Sequence, residues 1–362
     1  MVSSRRLLAF YRRIQYLICG RLSNGTMPKG IQCEVEQYES DINHGDIVHP
    51  CVRFIPDGFE GHKWWMVYTP YYKANAAIEN PILCFGDEIS EEVPPSVWRV
   101  YCKVNEKPAD GYNSDPTLLF LGGQLYVYWR ENIVQNKSKY NYWRATFVAK
   151  VVRGRVEKCS SIPVLVSVDD EIDAETCPTF LLENDGGITA YAMHLQFHSK
   201  WVKRLGGFTK KVVERFLLIT DLLGFYSQQK HFGVAIWKGG APDEPFTYLK
   251  TVKFHNCNIL YRPWHMDLFD YGRKRYIVLQ TNMSNADLCL AESTDGEFFT
   301  LFKHPIVTNK SIGMVGIYKP CAGVTNKGVF YLYYTAQDID NRALNKLYLT
   351  TMPFGDLLET IR

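Results

Sequence analysis

Short hydrophobic segments with alternating polar positions recur in pairs along most of the chain. In residues 113–129, the segment Asn-Ser-Asp-Pro-Thr-Leu-Leu-Phe-Leu is followed by Gly-Gly and then by Gln-Leu-Tyr-Val-Tyr-Trp. A two-residue glycine turn between segments rich in aromatic and aliphatic residues is typical of a β-hairpin. The pattern therefore predicts two antiparallel strands joined at Gly122-Gly123.

Four more units repeat this layout. The unit already described starts at Asp115-Pro116. The four others start at His49-Pro50, Cys177-Pro178, His265-Met266 and Lys319-Pro320. Proline lacks an N–H and suits the first residue of a strand, and methionine replaces it in the fourth unit. The units are roughly 55 to 90 residues apart, which suits a four-stranded blade with its loops. Five units predict an all-β, five-bladed β-propeller; a β-sandwich with chance self-similarity is the alternative.

Composition fits one closed β domain. The 362 residues are 46% hydrophobic and 14% aromatic, and closed all-β folds can reach this length as one domain. No Gly/Ser/Pro-rich linker divides the chain, so we expect an N-terminal helical segment over residues 1–30 and the propeller over 31–362. The net charge of +3 is dispersed, which argues against a nucleic-acid partner.

Cysteine usage favours a reducing compartment. Ten cysteines are too few for a disulfide-dense scaffold of this length, and none forms a Cys-x-x-Cys pair typical of zinc sites. We therefore expect reduced, structural cysteines and a cytoplasmic location.

The N-terminal segment is amphipathic. Arg12, Arg13 and Gln15 interrupt its apolar run, so it is too short for a membrane span and poor as a signal peptide. Residues 5–19 would suit a peripheral helix on an anionic membrane surface, or a helix packed across the propeller rim. The sequence leaves both options and the oligomeric state open.

Familiar catalytic motifs do not occur. The chain has no P-loop, no Gly-x-Gly-x-x-Gly after a strand, no His-Glu-x-x-His and no Gly-x-Ser-x-Gly. Nucleotide-dependent and serine-hydrolase chemistry therefore have no support from motifs.

The repeat register instead indicates a site on the propeller axis. Because the innermost strand of each blade lines the central channel, the residues before the repeat prolines, or before Met266, should converge. Side chains alternate along a strand, so Asp267 and Glu175 should face the channel as well. The converging residues are His49, Asp115, Cys177, His265, Lys319, Asp267 and Glu175.

This set has the ingredients of a sugar site. Aromatic rings stack on apolar sugar faces, while carboxylates and imidazoles bind hydroxyl groups. Hydrogen-bonded axial residues could equally tie neighbouring blades together. The candidate substrate-binding residues are His265, Lys319, Arg262, Trp264, Tyr318, Tyr71 and Arg130.

Several motifs carry a resemblance to a known family. They are His49-Pro50, Lys63-Trp-Trp-Met-Val-Tyr-Thr-Pro70, Glu79-Asn-Pro81, Asn113-Ser-Asp-Pro116, Tyr126-Val-Tyr-Trp-Arg-Glu131 and Trp264-His-Met-Asp267. Over residues 45–350 the chain resembles the five-bladed propeller glycoside hydrolases, the arabinanase and xylosidase group of family 43. More narrowly, it is similar to a branch found among bacterial and phage polysaccharide-related proteins. The resemblance implies cleavage of a glycosidic bond in a polysaccharide or oligosaccharide.

The resemblance also implies roles for four candidate catalytic residues. Asp115 matches the second-blade carboxylate that orients the reaction, and Glu175 matches the third-blade acid, one residue further from Pro178 than expected. His49 occupies the place of the first-blade base. His49 could activate water itself, or Asp267 could supply the second carboxylate.

Other functions stay open. His49, His265, Arg262 and Lys319 could hold phosphate, as the related propeller phosphorylases imply. A non-catalytic glycan-binding propeller is the rival from a different class. No cofactor is expected, although related hydrolases imply a possible axial metal cation near a histidine such as His265.

Overall fold

The computed structural model describes most of the chain. The described residues are 25–38, 46–72, 75–87, 90, 93–133, 144–166, 174–195, 232–255, 263–281, 287–309, 311–314, 316–337 and 345–362. The predicted N-terminal helix and its membrane contact lie largely outside these ranges, and the boundary at residue 30 stays a prediction.

In the described part of the chain five sheets of mainly antiparallel strands surround one axis, which confirms the predicted five-bladed β-propeller. Two short strands come first, β1 (Ile31–Gln32) and β2 (Glu34–Val35). Blade 1 contains β3 (Ile47–Phe59), β4 (His62–Pro70), β5 (Ile82–Gly86) and β6 (Val97–Lys103). Blade 2 contains β7 (Gly111–Leu121), β8 (Gln124–Ile133), β9 (Arg144–Val152), β10 (Arg155–Lys158) and β11 (Leu165–Val166).

The remaining blades follow in chain order. Blade 3 contains β12 (Ala174–Leu182), β13 (Ile188–Leu195), β14 (Phe232–Gly239) and β15 (Thr247–Thr251). Blade 4 contains β16 (Lys253–His255), β17 (Pro263–Tyr271), β18 (Lys274–Thr281), β19 (Asp287–Ser293), β20 (Phe298–Leu301) and β21 (Val307–Thr308). Blade 5 contains β22 (Gly316–Val324), β23 (Val329–Gln337) and β24 (Asn345–Pro353).

The ring closes through the N-terminal strand. Strand β1 pairs with β24, with Ile31 opposite Leu349, so the start of the chain completes blade 5. The inner strands β3, β7, β12, β17 and β22 contact one another in succession, and β22 returns to β3. Closure leaves each blade between two neighbours, which protects the sheet edges.

Hydrophobic residues from neighbouring blades form the cores. Between blades 1 and 2, Trp65 and Val67 pack with Leu118 and Trp129. Corresponding clusters lie between the other neighbouring pairs of blades, including the pair formed by blades 5 and 1. Because every cluster draws on two blades, packing stabilises the ring as a unit and fixes the axis.

The predicted Gly122-Gly123 turn agrees with the structure. Gly122 and Gly123 join β7 to β8 with φ of 58° and 78°, as a two-residue hairpin requires. A second turn, at Asp295-Gly296, joins β19 to β20.

One helix follows the last strand of blade 5. Helix α1 (Phe354–Ile361) buries Phe354, Leu357 and Ile361 against the core between blades 4 and 5. Among the described residues, no helix has the length and apolarity needed to cross a membrane.

Candidate functional site

A repeated backbone feature places residues on the axis. His49, Asp115, Cys177 and Lys319 have positive φ angles of 54°, 49°, 49° and 20°. Each lies at a register shift between the first and second strand of its blade. A non-glycine residue in this region costs about 1 to 3 kcal/mol, and such strain often occurs at functional sites. The bulges turn these residues towards the axis.

Blade 4 departs from this rule. Met266 stands where the other blades have proline and pairs in register with Leu279, while the register shift falls between Pro263 and His265. His265 is not among the described residues with positive φ. The substitution in the repeat therefore changes the local backbone, yet His265 still reaches the axis.

Four predicted residues meet on the propeller axis. We call this group the axial cluster, and it consists of His49, Asp115, Cys177 and His265. Nε2 of His49 lies 3.4 Å from Oδ1 of Asp115. The Cys177 thiol donates to the same Oδ1 at 2.8 Å, and its sulfur lies 2.6 Å from Nδ1 of His265. One ligand-type atom from each residue lies within 4.8 Å of the others. Four blades thus contribute to one small buried volume.

Asp115 is held as a carboxylate. Arg130 donates to its Oδ2 at 2.6 Å and Ser114 donates to the same atom at 3.1 Å. Asn132 in turn donates to the Ser114 hydroxyl at 3.0 Å. Burial alone would raise the pKa of Asp115, but the charges of Arg130 and its other neighbours lower it well below its usual range.

His49 is held neutral and oriented. Burial lowers its pKa to about 4, although Asp115 opposes the shift. Nδ1 lies 3.0 Å from the hydroxyl of Thr69, and that hydroxyl donates to the carbonyl of Val48. Nε2 of His49 faces Oδ1 of Asp115 and the hydroxyl of Tyr318.

Glu79 is a site residue that sequence analysis did not select. It is 4% exposed, its Oε2 lies 3.6 Å from Nδ1 of His49, and that oxygen has no hydrogen-bond partner. Burial and the charge of Asp115 raise its pKa well above the usual range. Asn113 donates to Asn80 and to the Glu79 carbonyl, which fixes the loop against β7. In the sequence, the Glu79-Asn-Pro81 motif was the signal that could have identified Glu79 as a site residue.

Asp267 belongs to a second group of residues, separate from the axial cluster. Arg53 donates to its two oxygens at 3.2 and 3.0 Å, and Thr179 donates to Oδ1 at 2.9 Å. The backbone N–H of Ala322 donates to Oδ2 at 3.1 Å. These groups come from blades 1, 3 and 5, so Asp267 ties blade 4 to three others. Residues two positions beyond the repeat starts form this lower ring, namely Cys51, Thr117, Thr179, Asp267 and Cys321.

Aromatic rings adjoin the axial cluster. The hydroxyl of Tyr318 lies 3.3 Å from Nε2 of His49, and its ring lies 4.3 Å from that of His265. Trp264 packs edge-on against His265 at 5.5 Å. Tyr71 is partly buried, and burial, followed by the charge of Glu79, raises its pKa. Two of these rings therefore contact the cluster directly.

The other predicted residues are placed as follows. Lys319 is buried at the bulge of β22, and its backbone N–H donates to Gln280. Burial lowers the pKa of Lys319, but Cys177, Cys51 and nearby carboxylates raise it overall. Glu175 lies on β12 opposite His194, and its side chain is outside the described part of the structure. Arg262 lies outside the described residues.

Comparisons with known proteins identify solved structures that share the fold. A scan against protein-family models and a search of curated proteins give no match. Among solved structures, an N-acetylgalactosamine deacetylase from F. plautii in complex with blood group B trisaccharide superposes with a TM-score of 0.63 at 13% identity. The match covers 93% of this chain and 97% of that one.

Two further structures share the architecture. A GH43_1 enzyme from Xanthomonas citri matches with a TM-score of 0.56 at 12% identity, covering 89% of this chain and 90% of that one. The Bombyx mori GH32 β-fructofuranosidase matches with a TM-score of 0.57 at 11% identity, covering 99% of this chain and 70% of that one. The chain therefore shares the fold of these structures.

Proposed function

We propose that this chain is a carbohydrate-active hydrolase that cleaves a glycosidic bond of a polysaccharide or oligosaccharide at the propeller axis. The observation that carries the proposal is the meeting of ionised Asp115 with neutral His49 beside Tyr318. Neighbouring groups with opposite protonation preferences are the basis of acid–base assignments in hydrolases. A deacetylase in complex with blood group B trisaccharide and a GH32 β-fructofuranosidase with this fold support a saccharide as the substrate.

Each residue has a role in this scheme. Asp115 orients the sugar and stabilises positive charge on the ring, because Arg130 and Ser114 hold it ionised and fixed. His49 accepts a proton from water through Nε2, which lies 3.4 Å from Oδ1 of Asp115. Glu175 is the proposed acid that protonates the leaving oxygen.

Asp267 has no catalytic role in the proposal. Arg53, Thr179 and Ala322 already occupy its oxygens, and burial in this network suits a tie between blades. A carboxylate that served as base would need a free lone pair near the substrate. We therefore assign the second carboxyl function to Glu175 rather than to Asp267.

The test is product release from a panel of bacterial glycans, with and without phosphate. We expect new reducing ends with the wild type, no phosphate requirement, and loss of turnover in Asp115→Asn and Glu175→Gln. Thr117→Ser, in the lower ring, is the matched control and should retain turnover. Cleavage at the wild-type rate by both carboxyl variants would refute the proposed roles, whereas a phosphate requirement would select phosphorolysis. Binding without any product would support a glycan-binding protein.

A second candidate is hydrolytic removal of an N-acyl group from an amino sugar. The observation that favours it is the mixed donor set of the axial cluster, because a metal ion held by such donors can polarise a carbonyl group. Similarity to the N-acetylgalactosamine deacetylase supports this candidate. Acetate release from N-acetylated glycans without new reducing ends would distinguish it from glycosidic cleavage.

A further inference from the structure

Two thiols of the lower ring meet where blade 5 returns to blade 1. Cys51 lies on β3 and Cys321 on β22, and both side chains are almost completely buried. The two side chains hydrogen-bond to each other, and both cysteines are free of disulfide bonds. Each stands two residues beyond the start of its repeat unit, so the contact between β3 and β22 brings equivalent positions together. The proposed reaction uses neither thiol.

Hydrogen bonds hold both sulfur atoms at this junction. The sulfur of Cys321 accepts from the backbone N–H of Val52, the residue after Cys51, at 3.0 Å. The sulfur of Cys51 accepts from the backbone N–H of Leu118 at 3.4 Å and lies 3.3 Å from the hydroxyl of Thr117. These partners belong to blades 1 and 2, so the folded ring itself keeps the two thiols side by side.

A positive charge lies beside the thiol pair. Nη1 of Arg53 donates to the sulfur of Cys321 at 3.7 Å. Asp267 holds the guanidinium in this position, although its carboxylate offsets part of the charge. A cation near a thiol favours the thiolate, which is the form that reacts with oxidants. The side chain of Arg53 is 19% exposed, so the group that contacts Cys321 also reaches solvent, and a small oxidant can approach along it.

We propose that Cys51 and Cys321 form an oxidation site, at which hydrogen peroxide converts the thiol pair into a disulfide that joins blade 1 to blade 5. Of the five equivalent positions in the lower ring, these two carry sulfur, and they are neighbours in the ring. A hydrogen-bonded pair of thiols needs a short movement to form an S–S bond, whereas an isolated buried thiol has no partner for one.

The reaction balances with one molecule of hydrogen peroxide. A thiolate of the pair attacks one peroxide oxygen, the O–O bond breaks, and a sulfenic acid forms while hydroxide leaves and takes up the proton that the thiol released. The second sulfur then attacks the sulfenic sulfur, so that an S–S bond forms and water leaves. The two thiols lose two electrons in total, and the peroxide is reduced to two waters.

The disulfide fixes two strands that carry axial residues. His49 precedes Cys51 by two residues on β3, and Lys319 precedes Cys321 by two residues on β22. The link also encloses most of the chain in one covalent loop, which restricts the unfolded chain and so stabilises the folded protein. The ring is thus closed covalently under oxidising conditions, in addition to the pairing of β1 with β24. This site does not depend on which bond the protein cleaves, and its test needs no substrate.

The test treats the folded, full-length protein with hydrogen peroxide, blocks the remaining thiols and identifies disulfide-linked peptides by mass spectrometry. We expect one dominant link, between Cys51 and Cys321, that dithiothreitol reverses. The midpoint of thermal unfolding should rise by about 3 °C or more in the oxidised protein. In urea, the same treatment should lose its preference for this pair. Absence of the link, a dominant link between other cysteines, or an equal yield from the unfolded chain would each overturn the proposal.

Serine variants then identify the two sulfur atoms. Cys51→Ser and Cys321→Ser each keep an acceptor for the neighbouring N–H group, but both should lose the link and the rise in unfolding midpoint. Cys289→Ser, which alters a buried thiol on β19 outside the lower ring, is the matched control and should keep both. Circular dichroism checks the fold of each variant, and the wild-type peptide map decides the matter if a variant does not fold. A rise in unfolding midpoint that survives in Cys321→Ser, or disappears in Cys289→Ser, would contradict the assignment.

Discussion

Nε2 of His49 lies 3.4 Å from Oδ1 of Asp115. The two residues occupy equivalent positions in the first strands of neighbouring blades, and both have positive φ angles. The contact therefore follows from the repeat itself, since the same bulge in two adjacent blades directs two side chains to one point. Cys177 and His265 extend the contact to the next two blades.

The tie made by Asp267 predicts a large stability effect. In Asp267→Asn the partly buried guanidinium of Arg53 loses its charged partner, so the free energy of unfolding should fall by about 3 to 5 kcal/mol. Urea denaturation at neutral pH measures the change. Arg53→Met combined with Asp267→Asn should recover part of the loss, because no uncompensated charge remains. A loss below about 1 kcal/mol in the single variant would contradict the interblade role.

Ring closure by β1 predicts sensitivity at Gly30. A Cβ added there would clash with the carbonyl oxygen of Leu349, so Gly30→Val should displace β1 from β24. We expect a loss of about 1 to 3 kcal/mol in thermal or urea unfolding. Gly355→Ala in α1 is the control, since nothing lies within 4 Å of its added Cβ. That variant should be neutral or slightly stabilised, and equal losses in both variants would argue against closure.

The ion pair between blades 3 and 4 predicts a pH-dependent contribution. Arg275 donates to both oxygens of Glu183 at 2.9 and 3.3 Å. Burial alone would raise the pKa of Glu183, but these bonds lower it overall. A lowered folded-state pKa stabilises the protein above the unfolded-state value, and the stabilisation is lost as pH falls through the folded-state value.

Glu183→Gln should therefore lower the free energy of unfolding by about 1 kcal/mol at neutral pH. The difference in this free energy from wild type should shrink below about pH 4. Denaturant unfolding of the variant and the wild type across this pH range measures the difference. Glu157→Gln, which removes the exposed partner of Arg155, is the matched control and should show little difference at any pH. A difference at Glu183 that stayed constant with pH would contradict an ionic contribution.

The sequence predicted the features that depend on local chemistry. Strand-opening prolines and glycine turns indicated the number of blades, and the repeat register indicated which side chains converge. The alternation of side chains also placed Asp267 on the same face as His265. Gly122-Gly123 illustrates why this works, since its turn needs positive φ that glycine supplies freely.

Features that depend on distant partners were not predictable. Arg53 and Asp267 are 214 positions apart, and no local pattern indicates that one neutralises the other. Sequence therefore offered Asp267 for catalysis, whereas its contacts with Arg53 and Thr179 support the interblade role that we propose. The Glu79-Asn-Pro81 motif marked the loop, but the place of Glu79 beside His49 depends on how that loop folds back on β7 through Asn80 and Asn113.

The central claim is that the residues converging on the propeller axis act on a carbohydrate. The most direct measurement is the rate of product release by Asp115→Asn relative to wild type on a glycan that the wild type cleaves. Loss of a fixed carboxylate at the reacting centre should lower the rate by about 10²-fold or more, with the Thr117→Ser control unchanged. A rate for folded Asp115→Asn equal to that of the wild type would contradict the account.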